Sequence, residues 1–196
     1  MTDRIIEGDG AVSLRAPRHD DAEPWYELMV DPETGSFGVP AHVRMPRSPA
    51  DFRAPIDQAR QRFADLQPGV LAIVSRTEPE HFLGRIGWRY ESDPEMGVVD
   101  IGYSVHPAVR GRGVATAGVV LMARWLMQDA SGPRVPRVQL DHSVENAASS
   151  RVALNAGMPV EGVRRSLLPL RDASAPDGVR RHDVCLHGTV GGDLPA

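Results

Sequence analysis

Lysine is absent from this 196-residue chain, and all 22 of its basic residues are arginine. Without lysine there is no side-chain amine for a Schiff base, which removes PLP-dependent and aldol chemistry. There is also no P-loop lysine to hold the phosphates of a nucleoside triphosphate. Cysteine occurs once, at Cys185, which excludes an intrachain disulfide framework and fits a reducing, cytoplasmic location. No apolar run approaches the roughly 20 residues that cross a bilayer, and no signal-peptide pattern opens the chain, so no membrane partner is expected. Positive charge is not in excess either. The formal net charge is −4 and the pI about 6.0, which argues against a nucleic-acid partner held through phosphates.

What remains is ordinary globular composition, 41% apolar and 24% charged, with no repeats and no low-complexity tract. A chain of this length suits one domain, so residues 1–196 are expected to form a single unit. Val12–Arg15 reads as a strand. Residues 20–30 read as an amphipathic helix that opens on acidic residues and stops at Asp31-Pro32. Residues 31–50 carry four prolines and two glycines and are expected to form an irregular loop. A second helix is expected over 50–66, then strands over 71–75, 82–90 and 98–105. Residues 113–128 (GVATAGVVLMARWLMQ) are apolar almost all round, as in a helix buried against a sheet. A strand over 137–142, a helix over 146–156 and strands over 159–168 and 180–188 complete an α/β pattern. Strand 98–105, the apolar helix and the next strand should form a crossover between parallel strands.

The stretch from Val105 to Thr116 (VHPAVRGRGVAT) lies between a strand and the apolar helix. A helix start leaves backbone N–H groups unpaired with the positive dipole end behind them. Glycines there admit an anion, so a pyrophosphate cradle is expected at 110–116, with Arg110 and Arg112 available to add charge. The dinucleotide fingerprint fails at its third glycine, where Thr116 stands, and a Walker A loop needs the missing lysine. A glycine-rich turn without ligand is the bland alternative.

Arg110-x-x-Gly113-x-Ala115 resembles the acyl-CoA loop of the GNAT superfamily of N-acetyltransferases. The resemblance continues through Leu14-Arg15 with Asp21-Ala22, IGYSVHP at 101–107, Glu145-Asn-Ala-Ala-Ser149 with Ala156-Gly157, and the late EGVRR and RHDVCL segments. Together these are similar to the RimJ/RimL-type branch over about residues 12–190, leaving short flexible tails. The resemblance implies a GNAT fold, a mixed central sheet of about six or seven strands with about four helices. In that fold two parallel strands splay apart around acetyl-CoA, the acyl donor. It implies main-chain contacts to the pantetheine arm near Val105, whose N–H would face the developing oxyanion. It also implies pyrophosphate contacts from Arg110, Gly111, Arg112, Gly113, Val114, Ala115 and Thr116, and pantetheine and sulfur contacts from Asn146 and Ser149. Asn146 is equally a good N-cap for the next helix.

Direct transfer to an amine needs a proton acceptor for the amine and a donor for the leaving sulfur. Asp100 sits where this superfamily often places an acidic residue, and is otherwise a strand carboxylate paired with an arginine. The tyrosine that many GNAT enzymes use as acid is replaced by Ala153. Ser149 is the first substitute and Tyr103 the second, the latter also readable as a packed aromatic. Glu91, Asp93 and Glu95 read as a solvated hairpin tip or a lure for a cationic acceptor. His142 reads as a strand-end histidine, structural or near the thioester. Cys185 reads as a small buried apolar residue. No Cys/His cluster is visible, so no metal is expected. The resemblance suggests a protein N-terminal amine as acceptor and allows a homodimer; small amines such as aminoglycosides, polyamines or metabolites are the alternative, and a non-catalytic acyl-CoA-binding protein is a further one.

Overall fold

The structure, a computed structural model, describes residues 5–8, 10–191 and 193. Of the tails expected to be flexible, residues 1–4, 9, 192 and 194–196 lie outside the described residues, whereas Ile5–Glu7 form a strand. The strands are β1 (Ile5–Glu7), β2 (Val12–Arg15), β3 (Gly69–Ser75), β4 (Phe82–Tyr90), β5 (Val98–Val105), β6 (Arg137–Ser143), β7 (Val160–Arg171) and β8 (Val179–Val190). They form one sheet in the order β1-β2-β3-β4-β5-β6-β8-β7. Every neighbouring pair is antiparallel except β5 and β6. The helices are α1 (Ala22–Val30), α2 (Pro32–Phe37), α3 (Arg53–Ala64), α4 (Val114–Met127) and α5 (Ala147–Asn155). The α/β class stands, with eight strands and five helices among the described residues rather than the smaller counts expected.

Alternation along the strands assigns a core to each face. On β3, Leu71 and Ile73 join the cluster under α4, whereas Ala72 and Val74 join the one under α1 and α3. The apolar circumference of α4 is explained by its depth. Val119, Met122 and Leu126 are fully buried, each worth roughly 1.5–3 kcal/mol of transfer free energy. Trp25, Leu28, Phe52 and Ile56 cover the opposite face.

The start of α1 is fixed by a buried ion pair. Arg15 grips both carboxylate oxygens of Asp21 at 2.7 and 2.8 Å, and Asp21 also accepts the Arg18 backbone N–H. This pair accounts for the Leu14-Arg15 and Asp21-Ala22 signature.

Residues 31–50 differ from the loop expected of them. Asp31 accepts the backbone N–H of Thr34 at 3.0 Å, Pro32 sits in the first turn, and α2 follows. The Asp-Pro pair that stops α1 is therefore also a helix start, an N-cap followed by a proline whose missing N–H costs nothing there. A 3-10 turn, Pro49–Phe52, leads into α3. The edge strand β1 was not anticipated, and three residues are too few to show alternation.

Candidate active site

The only parallel pairing among the described residues is short. It runs from Val98 opposite Arg137 to Ile101 opposite Leu140 and then stops, although β5 continues to Val105 and β6 to Ser143. Past that point β5 stays with β4 and β6 stays with β8, so the two strands diverge and a gap opens through the sheet. The His106 N–H bonds to the Leu83 carbonyl at 2.8 Å, which makes the adjacent Gly84–Val105 pair a non-hydrogen-bonded one. The N–H and C=O of Val105 consequently point away from β4 and into the gap.

A cleft of about 610 Å³ enters on the side of α4 and α5. It is lined by Tyr103 and Val105, by Gly111, Gly113 and Thr116, and by Asn146 and Ser149. Val114 and Ala115 also line it. Gly111 and Gly113 adopt φ of +74° and +77°, and a Cβ on either would meet nothing within 4 Å. These glycines are required for their backbone conformation more than for the space they leave. Gly113 caps α4 without a side-chain bond, and Ala117 makes the first amide bond back to Gly113. The amides of the first turn thus face the cleft, as an anion cradle requires.

Arg110 does not stand free in that cradle. Its guanidinium pairs with Asp31, bonds Glu33 at 3.0 Å and reaches the Thr34 hydroxyl at 3.0 Å. Burial alone would raise the Asp31 pKa, but the Arg110 bonds and the Thr34 amide outweigh it and leave the carboxyl below its ordinary value. Arg110, expected to add charge to a phosphate, is engaged here with the start of α2 and braces the loop against it. Arg112 is exposed and makes no ion pair among the described residues.

A second cleft, about 510 Å³, opens on the opposite face and includes Arg89, Asp100 and Asp141. Phe37, Gly38, Tyr103, Asn146 and Ser149 line both clefts, so the two meet at the gap. There Tyr103 donates its hydroxyl hydrogen to Ser149 Oγ at 3.1 Å. Burial pushes the Tyr103 pKa up, against the opposing effect of that bond. Asn146 accepts the Ser149 backbone N–H at 3.1 Å, so its N-cap role is realised and it faces the cleft as well.

Asp100 is 7% exposed, paired with Arg89 at 2.7 Å and accepting from Gln139 at 2.6 Å. It lines the second cleft, though its carboxylate is already engaged. Asp141, overlooked in the sequence, lies on the same face two residues beyond Gln139. Burial and the nearby Asp100 charge push its pKa up. The parallel register was the signal, since it sets Asp100 opposite Gln139 and Asp141 beside them. Glu91, Asp93 and Glu95 are exposed as expected of a hairpin tip.

A Cys/His group that the sequence does not display is assembled between β6 and β8. The β6–β8 register sets His142 opposite Cys185, with His187 two residues on. Their three ligand-type atoms lie within 4.8 Å of one another, all buried. Each imidazole is tied by Nδ1 to a carbonyl, His142 to Ser143 at 2.8 Å and His187 to Met158 at 3.0 Å. The two Nε2 atoms face each other at 3.1 Å. His142 thus lines the second cleft while its Nε2 is engaged with His187. Burial raises the Cys185 pKa, so the thiol there is not an activated nucleophile.

A family model described as an acetyltransferase (GNAT) domain matches residues 12–159. Solved structures share the fold. The ribosomal-protein-S5-alanine acetyltransferase from Vibrio fischeri is 15% identical with a TM-score of 0.77, the match covering 99% of this chain and 100% of that one. RimJ from Mycobacterium smegmatis, in complex with CoA-disulfide, is 19% identical with a TM-score of 0.77, covering 99% and 88%. RimL, a ribosomal L7/L12 alpha-N-protein acetyltransferase in complex with coenzyme A, is 18% identical with a TM-score of 0.71, covering 95% and 98%. No curated protein sequence matches the chain. Among the described residues, no helix is long and apolar enough to cross a membrane.

Proposed function

The chain belongs to the GNAT acetyltransferase family, and from that membership we propose that it moves an acetyl group from acetyl-CoA directly to the primary amine at a protein N-terminus. The observation that carries the reading is the gap between β5 and β6, with a helix start at one mouth and carboxylates at the other. Residues 1–196 act in it as one cytoplasmic acetyltransferase domain.

Acetyl-CoA supplies an activated thioester whose carbonyl carbon accepts the amine. The first-turn amides of α4, from Val114 to Thr116, hold its pyrophosphate, and Gly111 and Gly113 shape the approach. Arg112 adds charge from solvent. The Val105 N–H, turned into the gap, meets the oxygen on which negative charge develops, where a fixed donor is worth most. Asn146 orders the start of α5 and with it Ser149.

Proton movement follows the two faces. The amine arrives on the face of Asp100 and Asp141, and must lose a proton before or during attack. Asp141 is the better acceptor, because a raised pKa brings a carboxyl closer to the working pH, and Asp100 with Arg89 and Gln139 fixes the approach. The C–N bond forms, the C–S bond breaks, and the sulfur takes a proton through the Tyr103–Ser149 hydrogen bond. This pair occupies the role left vacant at Ala153, which is fully buried and has no access to the cleft.

The protein-amine acceptor draws on the relatives that act on ribosomal proteins. CoA-thiol release from acetyl-CoA tests it, with one panel of short peptides carrying free N-termini and another of small amines. Turnover of peptides is expected. Turnover confined to small amines would redirect the reading to metabolites or detoxification, and silence in both panels with acetyl-CoA bound would refute acyl transfer.

A further inference from the structure

Four side chains among the described residues carry a buried polar atom with no hydrogen-bond partner: Trp25, Arg85, Trp125 and Thr189. Two of them, Trp25 and Arg85, line one cavity of about 540 Å³ between α1, α3, β4 and residues 43–46. Both orphaned atoms, the indole Nε1 and the guanidinium Nε, are donors and need an acceptor. The Trp25 ring, 4% exposed, is held by stacking on Phe52 at 5.1 Å and Phe82 at 6.3 Å. It is not free to turn its N–H toward solvent.

Arg85 is the more telling of the two. It makes no hydrogen bond and no ion pair among the described residues, and although the side chain is only partly buried its Nε is shut away from solvent. Its strand neighbours across the ladders are Ala72 and Ser104, neither of them an anion. Burial alone pulls its pKa down, with no neighbouring carboxylate opposing the shift. A guanidinium cannot shed its proton in compensation, and a partly buried cation without a counter-ion is a costly arrangement for a fold to retain.

The rest of the lining has the same sign. Arg44 and Arg62 join Arg85, against one carboxylate, Asp51, which already accepts the Arg47 backbone N–H at 2.7 Å. The cavity is also continuous with the acceptor cleft, because Arg62, Gly69, Val70 and Arg85 line both. Between Arg85 and the Arg89–Asp100 pair the floor is bare, since Gly87 stands directly opposite Gly102. No side chain from either strand separates the two ends.

We propose that this cavity is the distal half of the acceptor site and takes an anionic group, a carboxylate or phosphate, carried by the amine that is acetylated. The proposal rests on the acetyl-transfer reading above. Arg85 grips the anion with its planar fork, and the Trp25 N–H and Arg44 gain a partner from the same group. The amine end remains beside Asp100 and Asp141. A purely cationic acceptor such as a polyamine is disfavoured, because its far end would enter among three arginines.

Matched acceptors test this. A tripeptide with Glu at its second position is compared with the Gln peptide, and β-alanine with its amide, by CoA release for the wild-type protein and Arg85→Gln. Roughly tenfold or more in kcat/KM should favour the anionic member of one pair, and Arg85→Gln should erase that preference. The pair that shows it identifies a peptide or a small amino acid as the source. Equal rates within both pairs, or a preference that survives Arg85→Gln, overturns the proposal.

A second readout needs no turnover. Inorganic phosphate at constant ionic strength should raise the thermal midpoint of the wild-type protein more than that of Arg85→Gln. Phosphate at the start of α4 stabilises both alike, so the difference belongs to Arg85, and equal shifts overturn the anion site. An Arg85-dependent shift with all four acceptors silent would support the anion site and count against acetyl transfer instead. Arg85→Met checks folding: without an unpaired, partly buried cation, its unliganded midpoint should rise by roughly 2–4 °C.

Discussion

Tyr103 and Ser149, separated by 46 positions in the chain, are joined by a 3.1 Å hydrogen bond at the point where the two clefts meet. The bond spans the gap between β5 and the first turn of α5, so it exists only because β5 and β6 diverge. Tyr103→Phe should lower kcat by roughly a hundredfold, the scale of a lost general acid, and leave the KM for acetyl-CoA little changed. Ser149→Ala should match it, and the double variant should be no worse than either single one, because the two act as a unit. Steady-state CoA release measures all three.

The raised pKa of Asp141, caused by burial and by Asp100, predicts a pH dependence with a definite sign. Folding favours the protonated carboxyl here. As pH rises past the ordinary aspartate value the unfolded chain releases this proton first, and the stabilisation is lost as pH rises through the folded-state pKa. Asp141→Asn should therefore raise the urea midpoint at neutral pH and leave it unchanged well below the ordinary value. In the pH profile of kcat/KM it should remove the rising limb, and an unaltered limb would take the base role away from Asp141.

Arg110 and Asp31 should behave as one element. Arg110→Gln and Asp31→Asn each release α2 from the cofactor loop, so each should weaken acetyl-CoA binding, and the double variant should not weaken it further. Loss of affinity in Arg110→Gln alone would instead give the guanidinium a direct phosphate contact. Calorimetric titration of the four proteins decides the matter.

The Arg15–Asp21 pair is almost fully buried on both sides. Asp21→Asn leaves the guanidinium uncompensated and should cost about 3–5 kcal/mol in equilibrium unfolding. Activity per folded molecule should be unchanged, because the pair lies at the start of α1, away from both clefts.

Chelator treatment should leave acetyl transfer intact, because the route through Tyr103, Ser149 and Asp141 uses no metal. Loss of turnover on chelation, restored by zinc, would make His142, Cys185 and His187 a metal site.

Features written in consecutive residues were legible in advance. The α4 segment declares itself by its apolar circumference, the turn before it by Gly111 and Gly113, and the α5 cap by Asn146. Features created by register were not. Asp141 reads as an ordinary strand residue until β5 and β6 are set side by side. His142 looks solitary until β8 brings Cys185 and His187 to it. Arg85 sits in an unremarkable FLGRIGW strand, and its isolation comes from what the neighbouring strands lack. The ion pairing of Arg110 was hidden in the same way: its partners Asp31, Glu33 and Thr34 belong to a helix and its cap that the prolines around them concealed.

Four residue pairs, Val98–Ile101 with Arg137–Leu140, are the whole of the hydrogen-bonded seam between β1–β5 and the β6-β8-β7 part of the sheet. A seam so short is where the sheet opens most readily, so amide hydrogens of β5 and β6 at its frayed end should exchange with solvent sooner than those of β3 or β4. A molecule lying in the gap replaces the missing rungs and couples the two parts. Occupancy of one cleft would then be registered as slower exchange along the far strand, and a seam of four residue pairs would govern how rigid the whole sheet becomes.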